Sequence, residues 1–237
     1  MRVETDLIGT KEIEKDAYYG LQTLRAYENF NITGRRVHPE FIRSLAAVKK
    51  AAAITNCQTG ELSEERKNAI VQACDEILAG KLHDAFITDS IQGGAGTSFN
   101  MNANEVIANR ALELMGHQRG EYQYCSPNDH VNRSQSTNDA YPTAIHIGLY
   151  YTHLKLVKHF EVLIESFRKK ATEFAHVIKM GRTQLEDAVP MTLGQTFNGF
   201  ASILRHEVKN LDFAAQDFLT VNMGATAIGT GITAEPE

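Results

Sequence analysis

Three short stretches of the chain carry side chains that could hold a small anion. The richest is Ser126-Pro127-Asn128-Asp129-His130-Val131-Asn132 running into Gln135-Ser136-Thr137-Asn138-Asp139, in which three neutral donors, Ser136, Thr137 and Asn138, are consecutive. Neutral donors in a row at a helix start spread the charge of a carboxylate over several hydrogen bonds. The same residue types also cap helices, so a capping loop is the competing reading. The second stretch, Gly93-Gly94-Ala95-Gly96-Thr97-Ser98, stands directly before a predicted helix. Glycines let the backbone approach a ligand closely, and the N–H groups of a helix start bind anions. No lysine follows as in a phosphate loop, which favours a carboxylate; a flexible turn into the helix would look the same. The third, Gly181-Arg182-Thr183-Gln184, precedes Pro190 and taken alone reads as a turn between helices.

Other chemistries leave no mark. The nine histidines are scattered, with no HExxH or paired spacing for a metal. His130 is the one inside a candidate loop. Neither a GxSxG elbow nor a Cys/His nucleophile signature is present.

Helices must position these stretches. The spacing of Ile42, Leu45, Ala46, Val48, Ala52 and Ile54 predicts a helix from Pro39 to near Gly60. Ser63 with Glu64 and Glu65 predicts a capped start to a second, stopped at Gly80. A third is expected from Gly96–Thr97 to Gly116. Residues 144–170 hold no proline and a single glycine, with apolar residues on two sides, and a similar apolar stretch runs from 191 to 219. Apolar residues on two faces mean a rod packed between neighbours, and about 27 helical residues span about 40 Å. Two such rods predict a helical bundle. Residues 1–37 show no sustained helical period, and no alternating runs predict a large sheet.

Composition bounds the rest. Of 237 residues, 24 are Lys or Arg and 29 Asp or Glu, a net charge of −5 that argues against a nucleic-acid binder. No apolar run is long enough to span a bilayer, and the charged start MRVETDLIGTKEIEKD lacks the apolar stretch of a signal peptide. Cys57, Cys74 and Cys125 form no CxxC pair and read as free thiols in a reducing compartment. A cytoplasmic protein without membrane or nucleic-acid partners is expected.

Taken in order, five segments resemble the aspartase/fumarase superfamily: AYYGLQTLR (17–25), GGAGTSFNMNANEVIANRA (93–111), SPNDHVNRSQSTNDAYPT (126–143), GRTQLEDAVPMTLGQ (181–195) and NMGATAIGTGI (222–232). Within it, Gln135-Ser136-Thr137-Asn138-Asp139 and Gln184 are similar to the aspartase (aspartate ammonia-lyase) family, where fumarases look like QSSND and place His after the GRT threonine.

The resemblance implies a mainly α fold, a small N-terminal domain over 1–138 followed by the first part of a long-helix bundle over 139–237. It implies elimination of ammonia from L-aspartate to give fumarate through an aci-carboxylate, with no organic cofactor. Thr97, Ser136 and Thr137 would hold that carboxylate. Asn138 and Gln184 would contact the amino-bearing side and Thr183 the other carboxylate, with Ser98 also at the substrate. It further implies a homotetramer whose sites draw residues from three subunits. The family's general base, a serine in a Gly-Ser-Ser loop, has no counterpart in this sequence. The chain is therefore expected to be the first half of a family member, inactive alone. Fumarate hydratase and a non-catalytic helical assembly subunit are the alternatives.

Overall fold

The computed structural model describes residues 1–232 and 234. Helix dominates, and the chain divides into two compact units, one of Met1–Gly148 with the segment from Val221 onward, the other of Leu149–Thr220. Among the described residues, no helix is long and apolar enough to cross a membrane.

The first unit opens with an antiparallel hairpin, β1 (Arg2–Thr5) and β2 (Thr10–Ile13), in which Arg2 faces Ile13 and Thr5 faces Thr10. Helices α1 (Leu21–Asn29), α2 (Pro39–Gln58), α3 (Glu64–Leu78) and α4 (Thr97–Leu114) follow. The predicted boundaries of the last three hold for local reasons. Proline opens α2, where its missing N–H costs nothing, and the Ser63 hydroxyl accepts the Arg66 N–H at the start of α3. Their apolar faces meet in a core where Leu45, Ile70, Phe99, Val106, Ile107 and Leu112 are fully buried.

Helix α1 departs from the sequence reading, which places no helix before residue 37. Nine residues are too few to nucleate alone, and the groups that start α1 come from elsewhere. The Glu105 carboxylate of α4 accepts the N–H of Gly20, Gln22 and Thr23 and the Thr23 hydroxyl, and Glu4 of β1 accepts the N–H of Leu21.

Helix α5 (Thr137–Glu173) gives its first turns to this unit and the rest to the second, starting ahead of the predicted rod and running past it. The second unit continues with a hairpin, β3 (Ile178–Thr183) and β4 (Glu186–Thr192), then α6 (Leu193–Ala215) and a short 3-10 turn, Gln216–Leu219. Thr192 and Gln195 form a reciprocal capping box at the start of α6. Gly194 fits because a Cβ there would lie 2.4 Å from the Ala171 carbonyl oxygen. Gly181-Arg182-Thr183-Gln184 is thus the end of a strand and its turn, not a link between helices. Gln184 (φ 49°) and Leu185 (φ 68°) both take the left-handed conformation, as a two-residue hairpin turn requires.

Candidate functional site

The starts of α4 and α5 come together in the first unit. Gly96 (φ 103°) lies so close to Tyr141 that a Cβ would fall 2.5 Å from the ring. One turn into α4, Asn100 Nδ2 donates to Thr137 Oγ1 at 3.1 Å. Two helix N-termini, each carrying partial positive charge, are thereby brought side by side. Thr97 and Ser98 stand at one, Ser136, Thr137 and Asn138 at the other.

Each hydroxyl and amide has a definite state. Ser136 caps α5: its Oγ accepts the Asn138 N–H at 3.2 Å, and its own N–H goes to Asp139 Oδ1 at 2.9 Å. Capping uses the oxygen lone pair and leaves the O–H able to donate, so the capping and anion readings of this loop are compatible. Thr137 is in the same condition, accepting from Asn100. Thr97 differs, because its hydroxyl donates to the Gly94 carbonyl at 2.7 Å. Ser98 is buried beside it at 7% exposure.

Asn138 serves the fold as well. Pro142 sits inside α5 and has no N–H for the carbonyl four residues back, which is that of Asn138. Asn222 Nδ2 supplies the missing donor at 3.0 Å. In return Asn138 Nδ2 donates to the Ala227 carbonyl at 2.8 Å, and the Thr226 N–H reaches Asp139 Oδ2 at 2.9 Å. The 222–227 segment therefore lies against the first turn of α5. Thr183 and Gln184 belong to the other unit, exposed at the tip of the β3–β4 hairpin, with Arg182 paired to Asp187 at 3.0 Å.

Beneath the Ser136 loop lies a polar layer that sequence reading missed. Lys49 of α2, with no exposed surface, donates to Asn132 Oδ1 at 2.8 Å and Gln135 Oε1 at 3.0 Å. Asn104 and Asn100 of α4 donate to the same Asn132 oxygen at 3.2 and 3.3 Å. The available signal was position: Lys49 stands four residues from Leu45 and from Ala53, on the buried face of α2. Burial lowers the Lys49 ammonium to about 7, against the opposing pull of Asp139. His130 accepts the Ser126 N–H at Nδ1, 2.8 Å, and burial with nearby Arg66 and Arg133 lowers its pKa. All three cysteines are free, and burial pushes the Cys74 and Cys125 thiols up to about 12.

With this geometry in view, comparison with known proteins is direct. A family model described as Lyase matches residues 9–237. Aspartate ammonia-lyase of Bacillus subtilis (strain 168) is 58% identical over 236 residues, covering 100% of this chain and 50% of that protein. A solved Brucella melitensis structure, described as fumarate lyase:delta crystallin bound to cobalt, superposes with a TM-score of 0.93 at 52% identity, covering 99% of this chain and 52% of the other. A class II fumarase from Schistosoma mansoni gives 0.91 at 37% identity, covering 99% and 50%. The chain spans about half the length of the curated relatives it matches.

Proposed function

Because this chain belongs to the lyase family, we propose that it supplies the N-terminal half of an aspartate ammonia-lyase, which eliminates ammonia from L-aspartate to give fumarate. The observation that carries the reading is the meeting of two helix starts that present hydroxyls whose lone pairs the fold already uses. Removing the proton next to the β-carboxylate of aspartate loads that carboxylate with a second negative charge. Ammonia then leaves from the neighbouring carbon. Lowering the barrier means stabilising that dianion more than the substrate.

Ser136 and Thr137 donate O–H groups to the doubly charged carboxylate, and the α4 and α5 starts add partial positive charge. Thr97 joins by exchanging its Gly94 bond for the substrate, and Ser98 holds the floor beneath it. Asn138 faces the amino-bearing side. Thr183 and Gln184 complete the site of a neighbouring copy in a homotetramer, Thr183 on the second carboxylate and Gln184 on the amino side. The exposed hairpin tip supports that assignment, and the apolar residues left exposed along α5 and α6, among them Leu149, Leu163, Ile203 and Phe213, support assembly with further copies. No organic cofactor or metal enters this scheme. The cytoplasm, where the three thiols stay reduced, is the proposed location.

Fumarate absorbance tests the reading on the polypeptide extended to the length of its relatives. L-Aspartate should give fumarate, and Ser136→Ala should lower kcat/KM by roughly 10²–10³. Faster fumarate formation from L-malate than from L-aspartate would turn the assignment to a fumarase. The 237-residue chain by itself should bind fumarate without turnover, since a missing general base alone removes roughly 10²–10⁴-fold.

A further inference from the structure

Lysine is almost never fully buried unless it is paired with an acid. Lys49 has no exposed surface, yet its two hydrogen bonds run to amide oxygens, those of Asn132 and Gln135. Asp139, the carboxylate whose charge it feels most, gives its own oxygens to the N–H groups of Ser136 and Thr226. Keeping a cation in such a place is costly. A neutral donor would hold two amide oxygens at lower cost.

What the cation holds is the loop ahead of α5. Asn132 and Gln135 are locked to one another and to the loop backbone: Asn132 Nδ2 donates to the Gln135 carbonyl at 3.1 Å, and Gln135 Nε2 to those of Val131 and Arg133 at 3.0 and 3.1 Å. Between them Ser134 takes the left-handed conformation, φ 59°. Asn100 joins this knot to the candidate site directly, because its Nδ2 lies 3.3 Å from Asn132 Oδ1 and 3.1 Å from Thr137 Oγ1. A displacement of Asn132 is therefore felt at Thr137 through one shared side chain.

We propose that Lys49 is the positioning residue of the donor row: its buried ammonium clamps Asn132 and Gln135 and so fixes where Ser136 and Thr137 present their hydroxyls. The proposal rests on reading those hydroxyls as carboxylate donors. Below about pH 7, where the amine is protonated, charge strengthens each hydrogen bond to the amide oxygens and places a cation behind a site built for an anion.

The test uses Lys49→Met, Asn132→Leu and their double variant in the 237-residue chain, with hydrogen exchange and calorimetric titration of fumarate on the acid side of neutrality, where the Lys49 amine is protonated. Lys49→Met should speed exchange of the 132–138 amides by roughly tenfold or more while 70–77 in α3 stays protected. It should also weaken fumarate binding by roughly tenfold, and Asn132→Leu should match it. The double variant should lose no more than the worse single one, because both act through one contact. Exchange that rises evenly across α2, α3 and α4, or additive losses in affinity, would overturn the proposal. Should Lys49→Met fail to fold, Gln135→Ala with Asn132→Leu carries the same comparison, and additivity there overturns it equally. Ser136→Ala separates the two ideas. If it leaves fumarate affinity untouched the dicarboxylate reading fails, whereas the exchange pattern judges Lys49.

Discussion

The two units of this chain solve the burial problem in opposite ways. In the first, α2, α3 and α4 enclose Leu45, Ile70, Ile77, Phe99, Val106, Ile107 and Leu112 with 1% exposure or less. In the second, of comparable apolar content, the fully buried hydrophobics are few: Ala201 and Ala215 at 1–2% and Ile164 at 7%. Val162, Ile203 and Phe213 remain 62–83% exposed, although the rings of Phe167, Phe174, Phe197 and Phe200 pack among themselves. A hydrogen bond between His153 Nε2 and Asp212 Oδ1 at 2.9 Å ties α5 to α6 in this unit. The first unit holds a core that its own residues close. The second presents two-faced rods whose exposed residues form a surface suited to further helices. Polar side chains follow the same division: the hydrogen-bonded network lies in the closed unit, where low dielectric strengthens each bond.

Breaking the open surface should have the largest effect. Replacing Ile203 and Phe213 together by Asp should abolish the proposed assembly while leaving the first unit folded, read by sedimentation velocity with circular dichroism. A wild-type chain that sediments as a compact monomer would defeat the comparison at its root. Next in size is a cavity in the closed core: Phe99→Ala should cost about 3–5 kcal/mol in urea unfolding. Phe213→Ala, at 83% exposure, should cost far less in the same assay unless assembly is coupled to it.

The smallest effect is pH dependence, and its sign differs on either side of neutrality. Burial raises Glu105 to about 7 from its ordinary 4.5. Between those values the folded chain keeps a proton that the unfolded chain has lost, so stability falls as pH rises, by at most about 3 kcal/mol. His130, lowered by burial, opposes this below its ordinary 6.5. Lys49, lowered to about 7 from 10.5, is deprotonated in the folded chain while still charged in the unfolded one, so stability rises above pH 7. From about 9 the buried thiols Cys74 and Cys125, raised to about 12, reverse that rise. Urea midpoints from pH 4 to 9 should therefore dip near 7. Glu105→Gln should remove the falling limb, and Lys49→Met the rising one.

Legibility followed the range of the forces involved. Helices α2, α3 and α4 were readable because their starts, stops and apolar spacing are local: Pro39, Ser63 with Glu64 and Glu65, Gly80, and the glycines before Thr97. The rods of the second unit were readable for the same reason, although the start of α5 was not. Pro142 argues for a boundary there, and only Asn222, far away in sequence, takes up the carbonyl that proline leaves without its donor. The β3–β4 hairpin escaped because its turn is Gln184-Leu185, left-handed at two residues that rarely adopt that conformation. Helix α1 escaped because its capping groups are carboxylates from β1 and α4.

By itself, then, the sequence determined the helical class, the polar row Ser136-Thr137-Asn138, the glycine run before Thr97, and through five ordered motifs the family. Each of these is written in neighbouring residues, where spacing and propensity act directly. Only the tertiary structure decided that the starts of α4 and α5 meet at Gly96 and Tyr141 and that Ser136 can cap and donate at once. It alone put the charged end of Lys49 beneath the row. Those outcomes depend on side chains that approach within hydrogen-bond or van der Waals distance only after the chain has closed its core, and no local pattern records which residues will do so.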